Sequence, residues 1–183
     1  NIIKYFKTNP KVEVIEVLTN NPKADVIKRI LPARIPINVF NKEQLDNGLL
    51  YNKIKQLKPD LIVLAGFLLK IPFDFTNSFI NKIINIHPSL LPRHGGKGMY
   101  GERVHQSVKD AGDNETGITI HYVNEHYDEG SIIFQVKIKV EKEYSIKQIA
   151  EKVKQLEYKH YPEVIENLLF PKMRDKINIY TDG

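Results

Sequence analysis

Asn85 and His87 stand two residues apart in the stretch Ile83-Ile84-Asn85-Ile86-His87-Pro88-Ser89-Leu90-Leu91-Pro92. An imidazole exchanges protons near neutral pH, and an amide offers a fixed hydrogen-bond donor. Together they suit a reaction in which a carbonyl oxygen becomes an oxyanion while a proton moves. On a strand, residues two apart point to one face, so Asn85 and His87 project together while Ile84 and Ile86 face the opposite layer. A histidine at a strand end is also an ordinary structural residue. The company of Asn85 points to chemistry, because burying an amide on a strand is costly unless its polar groups are used. Pro88 cannot donate to a sheet and biases His87 toward extended geometry. The strand therefore ends there, with the pair at its carboxyl end, where open α/β sheets bind ligands.

Asp128 lies in the loop Asn124-Glu125-His126-Tyr127-Asp128-Glu129-Gly130. Brought against His87, its carboxylate would orient the ring and favour the imidazolium. By composition alone the loop reads as a solvated acidic turn. Gly95-Gly96-Lys97-Gly98 lacks the spacing and the hydroxyl residue of a nucleotide-phosphate loop and reads as a surface loop. His94, His105, His121, His126 and His160 show no metal-ligand spacing, so no metal is expected.

The elements that must position these groups alternate in type. Asn1 to Lys7 reads as the tail of a helix, Val12 to Leu18 as a strand, Pro22 to Leu31 as a helix opened by its proline, and Ile35 to Phe40 as a weaker strand. Leu45, Leu49, Leu50, Ile54 and Leu57 fall at helical spacing. Asp60 to Gly66 is apolar on both faces, as in the middle of a parallel sheet, and a helical stretch over Thr76 to Asn81 leads into the strand of Asn85. This order predicts a doubly wound, mostly parallel α/β sheet with helices on both faces. After a glycine-bearing loop over Pro92 to Gly101 comes a helix from Glu102 to Asp110. Strands follow over Gly117 to Val123 and Ser131 to Val140, joined too closely for a crossover helix and therefore antiparallel. Ser145-Ile146-Lys147-Gln148 has the form of a capping box opening the last long helix, and Tyr161-Pro162 starts a further helical piece through Leu169.

With 183 residues and 42% hydrophobic content, the chain is expected to fold as one domain over 1–183. The net charge of +5 is spread along the chain, which reads as a lysine-rich solvated surface rather than a nucleic-acid site, with a mild field that draws anionic small substrates. Cysteine is absent, removing disulfides and thiolate chemistry, which suits a reducing compartment. No apolar run is long enough for a membrane span, and no signal peptide opens the chain. A soluble, cytoplasmic protein is expected, either monomer or homodimer.

Leu64-Ala65-Gly66-Phe67, Asn85-Ile86-His87-Pro88-Ser89-Leu90-Leu91-Pro92 and Asp128-Glu129-Gly130 resemble, in order and spacing, the formyltransferases that use 10-formyltetrahydrofolate, and within them those of purine synthesis that act on glycinamide ribonucleotide. The resemblance implies a Rossmann-like formyltransferase fold and transfer of a formyl group from the folate cosubstrate to the substrate amine, without a metal. It implies catalytic roles for Asn85, His87 and Asp128, with Asn85 and a protonated His87 stabilising the oxyanion. Leu64, Ala65, Gly66, Phe67, Leu68, Ile71, Asn124 and Tyr127 are implied to enclose the reduced folate, and Lys154, Glu157, Pro88 and Gly96 to contact the nucleotide. The family pattern begins with a strand and a phosphate loop that this chain does not include, so a beginning missing from the chain is expected.

Other acceptors remain open on the core motif. Methionyl-tRNA formyltransferases add a carboxy-terminal domain and formyltetrahydrofolate hydrolases an amino-terminal one, neither of which the chain includes, while sugar-nucleotide formyltransferases share the core alone. Length and the Lys154/Glu157 match favour glycinamide ribonucleotide. A catalytically silent folate- or nucleotide-binding module is the alternative of another class, and it has no need for all three of Asn85, His87 and Asp128.

Overall fold

Ile83 and Ile84 are both almost fully buried, yet they pack into different layers. The strand that carries them is therefore sandwiched between helices. The structure, a computed structural model, describes residues 1–171. The expected single domain reaches beyond these, and its tail ending Tyr180-Thr181-Asp182-Gly183 lies outside the described residues.

Short strands β1 (Val17–Thr19) and β2 (Ile37–Val39) form a parallel pair. A second, four-stranded sheet runs β3 (Ile62–Leu64), β4 (Ile83–His87), β5 (Glu115–Tyr122), β6 (Ile132–Lys139), with β3 and β4 parallel and the later neighbours antiparallel. Helices α3 (Lys42–Asp46), α4 (Leu49–Leu57) and α5 (Phe73–Ser78) cover one face through Leu45, Leu50, Ile54 and Phe75 packed with Ile83. On the other face α1 (Ile2–Phe6) and α7 (Ile146–Leu169) pack Phe6, Tyr161, Val164 and Ile165 against Ile84 and Ile120. Helices α2 (Asp25–Ile30) and α6 (Glu102–Asp110) complete the α-helices among the described residues.

Several boundaries differ from the sequence expectation, each for a local reason. The strand expected from Val12 shortens to Val17–Thr19, matching the three residues of its only ladder partner, β2. Pro22 does not open α2. The Asn21 side chain accepts the Lys23 N–H at 2.9 Å and makes that segment a turn. The single helix expected through Leu45 and Leu57 breaks at Gly48, whose φ of 81° leaves the helical region, while Asn47 Oδ1 accepts the Leu49 N–H at 3.1 Å. Phe73 rather than Thr76 opens α5, directly after Pro72.

Helix α7 opens on the expected capping box of Ser145 and Gln148 but then runs through Pro162 without stopping. A proline normally breaks a helix interior. Here Pro162 is itself buried, and the preceding Tyr161 hydroxyl donates to the Leu64 carbonyl at 2.7 Å. Tertiary anchoring to the end of β3 overrides the local signal.

Candidate active site

Alternation along β4 turns Asn85 and His87 to the same side as Ile83, at the carboxyl end of the parallel β3–β4 pair. In register, Asn85 stands opposite His121 of β5, and His87 opposite Thr119. The loop after β5 returns Asp128 to this spot. Its Oδ2 lies 3.4 Å from His87 Nδ1, and its Oδ1 lies 3.6 Å from His121 Nε2. Asn85 Nδ2 is 3.2 Å from the same His121 Nε2. Four polar side chains thus form an open ring, linked from Asn85 through His121 and Asp128 to His87, and the His87 and His121 side chains are only 4% and 2% exposed.

Backbone geometry makes that return possible. Asp128 adopts φ 58°, a left-handed conformation that aspartate tolerates better than most residues. Gly130 then passes so close to β5 that a Cβ there would sit 1.7 Å from the Tyr122 carbonyl oxygen. Only glycine fits. The Gly96 N–H, donating to Asp128 Oδ2 at 2.9 Å, ties the loop after Pro92 to the same carboxylate.

Hydrogen bonding fixes the tautomers. His121 Nδ1 donates to the Tyr122 carbonyl at 2.8 Å, so the neutral ring carries its lone pair on Nε2 and accepts one Asn85 amide N–H. The second Asn85 amide N–H has no protein partner among the described residues. His87 Nε2 donates to the His94 carbonyl at 2.8 Å, which makes Nδ1 the proton-accepting atom of the neutral ring.

Burial sets the charges. It pushes the His87 imidazole below its ordinary pKa, helped by the neighbouring His121 and His94 rings, and outweighs the opposite pull of the Asp128 carboxylate and the His94 carbonyl. Asp128 goes the other way from its burial. Desolvation alone would raise it, but His121 and His87 in their protonated forms, together with the Gly96 N–H, hold it below the usual carboxylate range. The imidazolium expected for His87 is therefore not the form favoured without a ligand. The site pairs an imidazole biased toward its neutral form with a carboxylate biased toward its anion.

A Formyl transferase family model matches residues 2–165. The chain belongs to the formyl transferase family. It is 38% identical over 173 residues to the phosphoribosylglycinamide formyltransferase of Haemophilus influenzae, covering 91% of this chain and 79% of that protein. The Bacillus subtilis protein of the same name is 36% identical over 158 residues, covering 84% and 78%. Among solved structures, the phosphoribosylglycinamide formyltransferase of Anaplasma phagocytophilum matches with a TM-score of 0.83 and 29% identity, over 100% of this chain and 86% of that one.

In this formyl transferase the residues expected around the folate fall in different settings. A cleft of about 420 Å³ lies between the segment after β3 and the loop before Asp128, and it is lined by Ile71, Pro72, Tyr127 and Leu45 among others. Ile71 and Tyr127 meet there, although Ile71 is also a core residue, 7% exposed. Leu64 lies beside Asn85 in the β3–β4 register, and Ala65 and Gly66 follow it in the turn, Gly66 with φ 69°. Phe67 packs against Phe40, their centroids 6.2 Å apart, and Leu68 is exposed. Asn124 Oδ1 accepts the His126 N–H at 2.9 Å and shapes its own turn.

Of the residues expected at the nucleotide, Pro88 and Gly96 flank the polar ring. Lys154 and Glu157 lie on α7, the helix packed against the opposite face of the sheet. They do not meet in a salt bridge. Lys154 Nζ sits 5.5 Å from the centre of the Tyr158 ring. Burial raises the Glu157 carboxyl, against a smaller lowering by Lys154.

In the sequence, His121 shows only as one of several histidines without metal-ligand spacing. The signal that could have found it was its place on a strand opposite Asn85, which is a matter of register. Among the described residues no group of three or more His, Asp or Glu side chains is arranged to hold a metal ion. No described helix is long and apolar enough to cross a membrane.

Proposed function

We propose that this chain transfers a formyl group from 10-formyltetrahydrofolate to the amine of glycinamide ribonucleotide, the reaction for which relatives 38% and 36% identical over the aligned residues are named. The observation that carries the reading is the convergence of an amide, an imidazole and a carboxylate at one strand end.

The substrate amine attacks the formyl carbon, and the formyl oxygen takes up negative charge. The unpartnered N–H of Asn85 supplies a donor for that oxygen, an interaction worth on the order of 3 kcal/mol of barrier. The attacking nitrogen must lose a proton, and the neutral Nδ1 of His87 can accept it. Asp128 then faces the new imidazolium across 3.4 Å and stabilises it. Collapse of the tetrahedral adduct breaks the bond to the folate nitrogen, and the same proton can be handed to that leaving amine. Neutral His87 before reaction and charged His87 during it is the useful order, because the carboxylate's attraction then develops with the transition state.

Residues of the 420 Å³ cleft that includes Ile71 and Tyr127 support a site for the flat pterin ring, whereas Lys154, on α7 at the other face of the sheet, is assigned to an anionic group of the acceptor by the sequence resemblance alone. The test is formyl transfer by the purified protein with glycinamide ribonucleotide against methionyl-tRNA and amino-sugar nucleotides. Preference for another acceptor would overturn the assignment of substrate. Hydrolysis of the folate with no acceptor consumed would overturn the transferase.

A further inference from the structure

His94 is not glycine, yet its backbone stands at φ 56° in the left-handed region, where side chains other than Asn or Asp seldom go unless other contacts hold them. Its ring shows what holds it. Nε2 donates to Asp113 Oδ2 at 2.8 Å, and Nδ1 lies 2.8 Å from the Ser107 hydroxyl. Asp113 accepts only from that side on one oxygen, and its other oxygen meets the Arg93 guanidinium. Both ring nitrogens are therefore occupied, in a side chain only 10% exposed. The anchors are firm. Ser107 belongs to α6, whose Val104 and Val108 are fully buried, and Asp113 lies in the turn between α6 and β5.

The ring clamp has no contact with the polar ring at Asn85, but the backbone of the same residue does. The His94 carbonyl takes the Nε2 proton of His87 at 2.8 Å. We propose that His94 is a positioning residue for His87: Asp113 and Ser107 hold its ring so that its carbonyl fixes the His87 tautomer, leaving Nδ1 as the proton acceptor beside Asp128. Two residues on, the Gly96 N–H fixes Asp128 itself, so one turn sets both partners of the proton-transfer pair. This rests on the transferase reading for its consequence, but the tautomer can be measured without it.

The experiment is 15N NMR of the imidazoles in histidine-labelled protein, with the His87 signals among the six histidines assigned by their loss in His87→Gln, read beside kinetics. Asp113→Ala is expected to change His87 from a single Nε2–H form to a mixture with the Nδ1–H form. It is also expected to lower kcat about tenfold, a part of what a positioned acid–base group contributes, with both KM values within about twofold. Asp113→Asn, whose amide oxygen still accepts from His94, is expected to restore the single form. An unchanged His87 spectrum in folded Asp113→Ala overturns the proposal. A mixed spectrum with unchanged kcat upholds the positioning and overturns the catalytic role of His87 instead. Should Asp113→Ala lose its fold, Ser107→Ala carries the same measurement, and an unchanged spectrum there counts equally against the clamp.

Discussion

Asn85 and His121 face each other across the β4–β5 ladder, and the amide nitrogen of one lies 3.2 Å from Nε2 of the other. Because His121 Nδ1 donates to the Tyr122 carbonyl, Nε2 can only accept in the neutral ring, and the Asn85 amide is held with its nitrogen toward His121. Replacing His121 with Phe keeps much of the volume and removes the acceptor. The amide is then free to flip, and turnover is expected to fall by about 10²–10³, the range for an oxyanion donor, with substrate KM values little changed. A variant with full turnover would show that Asn85 needs no such partner.

His87→Ala is expected to lower turnover by about 10²–10⁴ while leaving folate affinity within a few-fold. Fluorescence titration with a non-reactive folate separates the two effects. Joint loss of binding and of cooperative unfolding would make His87, at 3% exposure, a packing residue rather than a base.

The acid side of the pH profile follows from the burial of His87. Its conjugate acid is disfavoured, so the limb of kcat/KM that requires neutral His87 is expected below the ordinary imidazole value. Asp128 pulls in the opposite direction, and Asp128→Asn should therefore move that limb lower still, while reducing the plateau because the imidazolium formed in the reaction loses its counter-charge. A limb that moves upward would contradict the 3.4 Å pairing.

Stability should follow pH with the same logic. The unfolded chain protonates at His87 and His105 near the ordinary value, whereas burial lowers both in the folded state. The unfolded state thus binds more protons below about pH 6.5, and stability falls on acidification. Asp113 and Asp128, depressed in the fold, add a second loss at lower pH as they are protonated. Glu157, raised by burial, works the other way, losing its contribution as pH rises through its folded value. Urea unfolding at about pH 7 and about pH 5 tests the net sign. A larger unfolding free energy at the lower pH that persists in Glu157→Gln would be incompatible with buried neutral histidines.

Lys154→Ala is expected to raise the KM for the nucleotide more than it lowers kcat, and to raise Glu157 further because the opposing cation is gone. Steady-state kinetics at varied nucleotide concentration decides it. An unchanged KM would reduce Lys154 to a surface charge.

The sequence by itself determined the strand of Asn85 and His87, its stop at Pro88, the α6 helix and the capping box of Ser145, because each depends on neighbours a few residues away. Period-two alternation was enough to put Asn85 and His87 on one face. The helix break at Gly48 was set by its near neighbour Asn47, whose side chain caps Leu49 in a local turn, whereas continuity through Pro162 was decided by the distant Tyr161 anchor to β3. Only the tertiary structure brought Asp128 back over β4, set His121 opposite Asn85, and turned the His94 carbonyl to His87. It also decided the charge of His87. Register, loop return and burial all depend on residues distant in the chain, and the free energy of an ion in a site is set by the groups around it rather than by its neighbours in sequence.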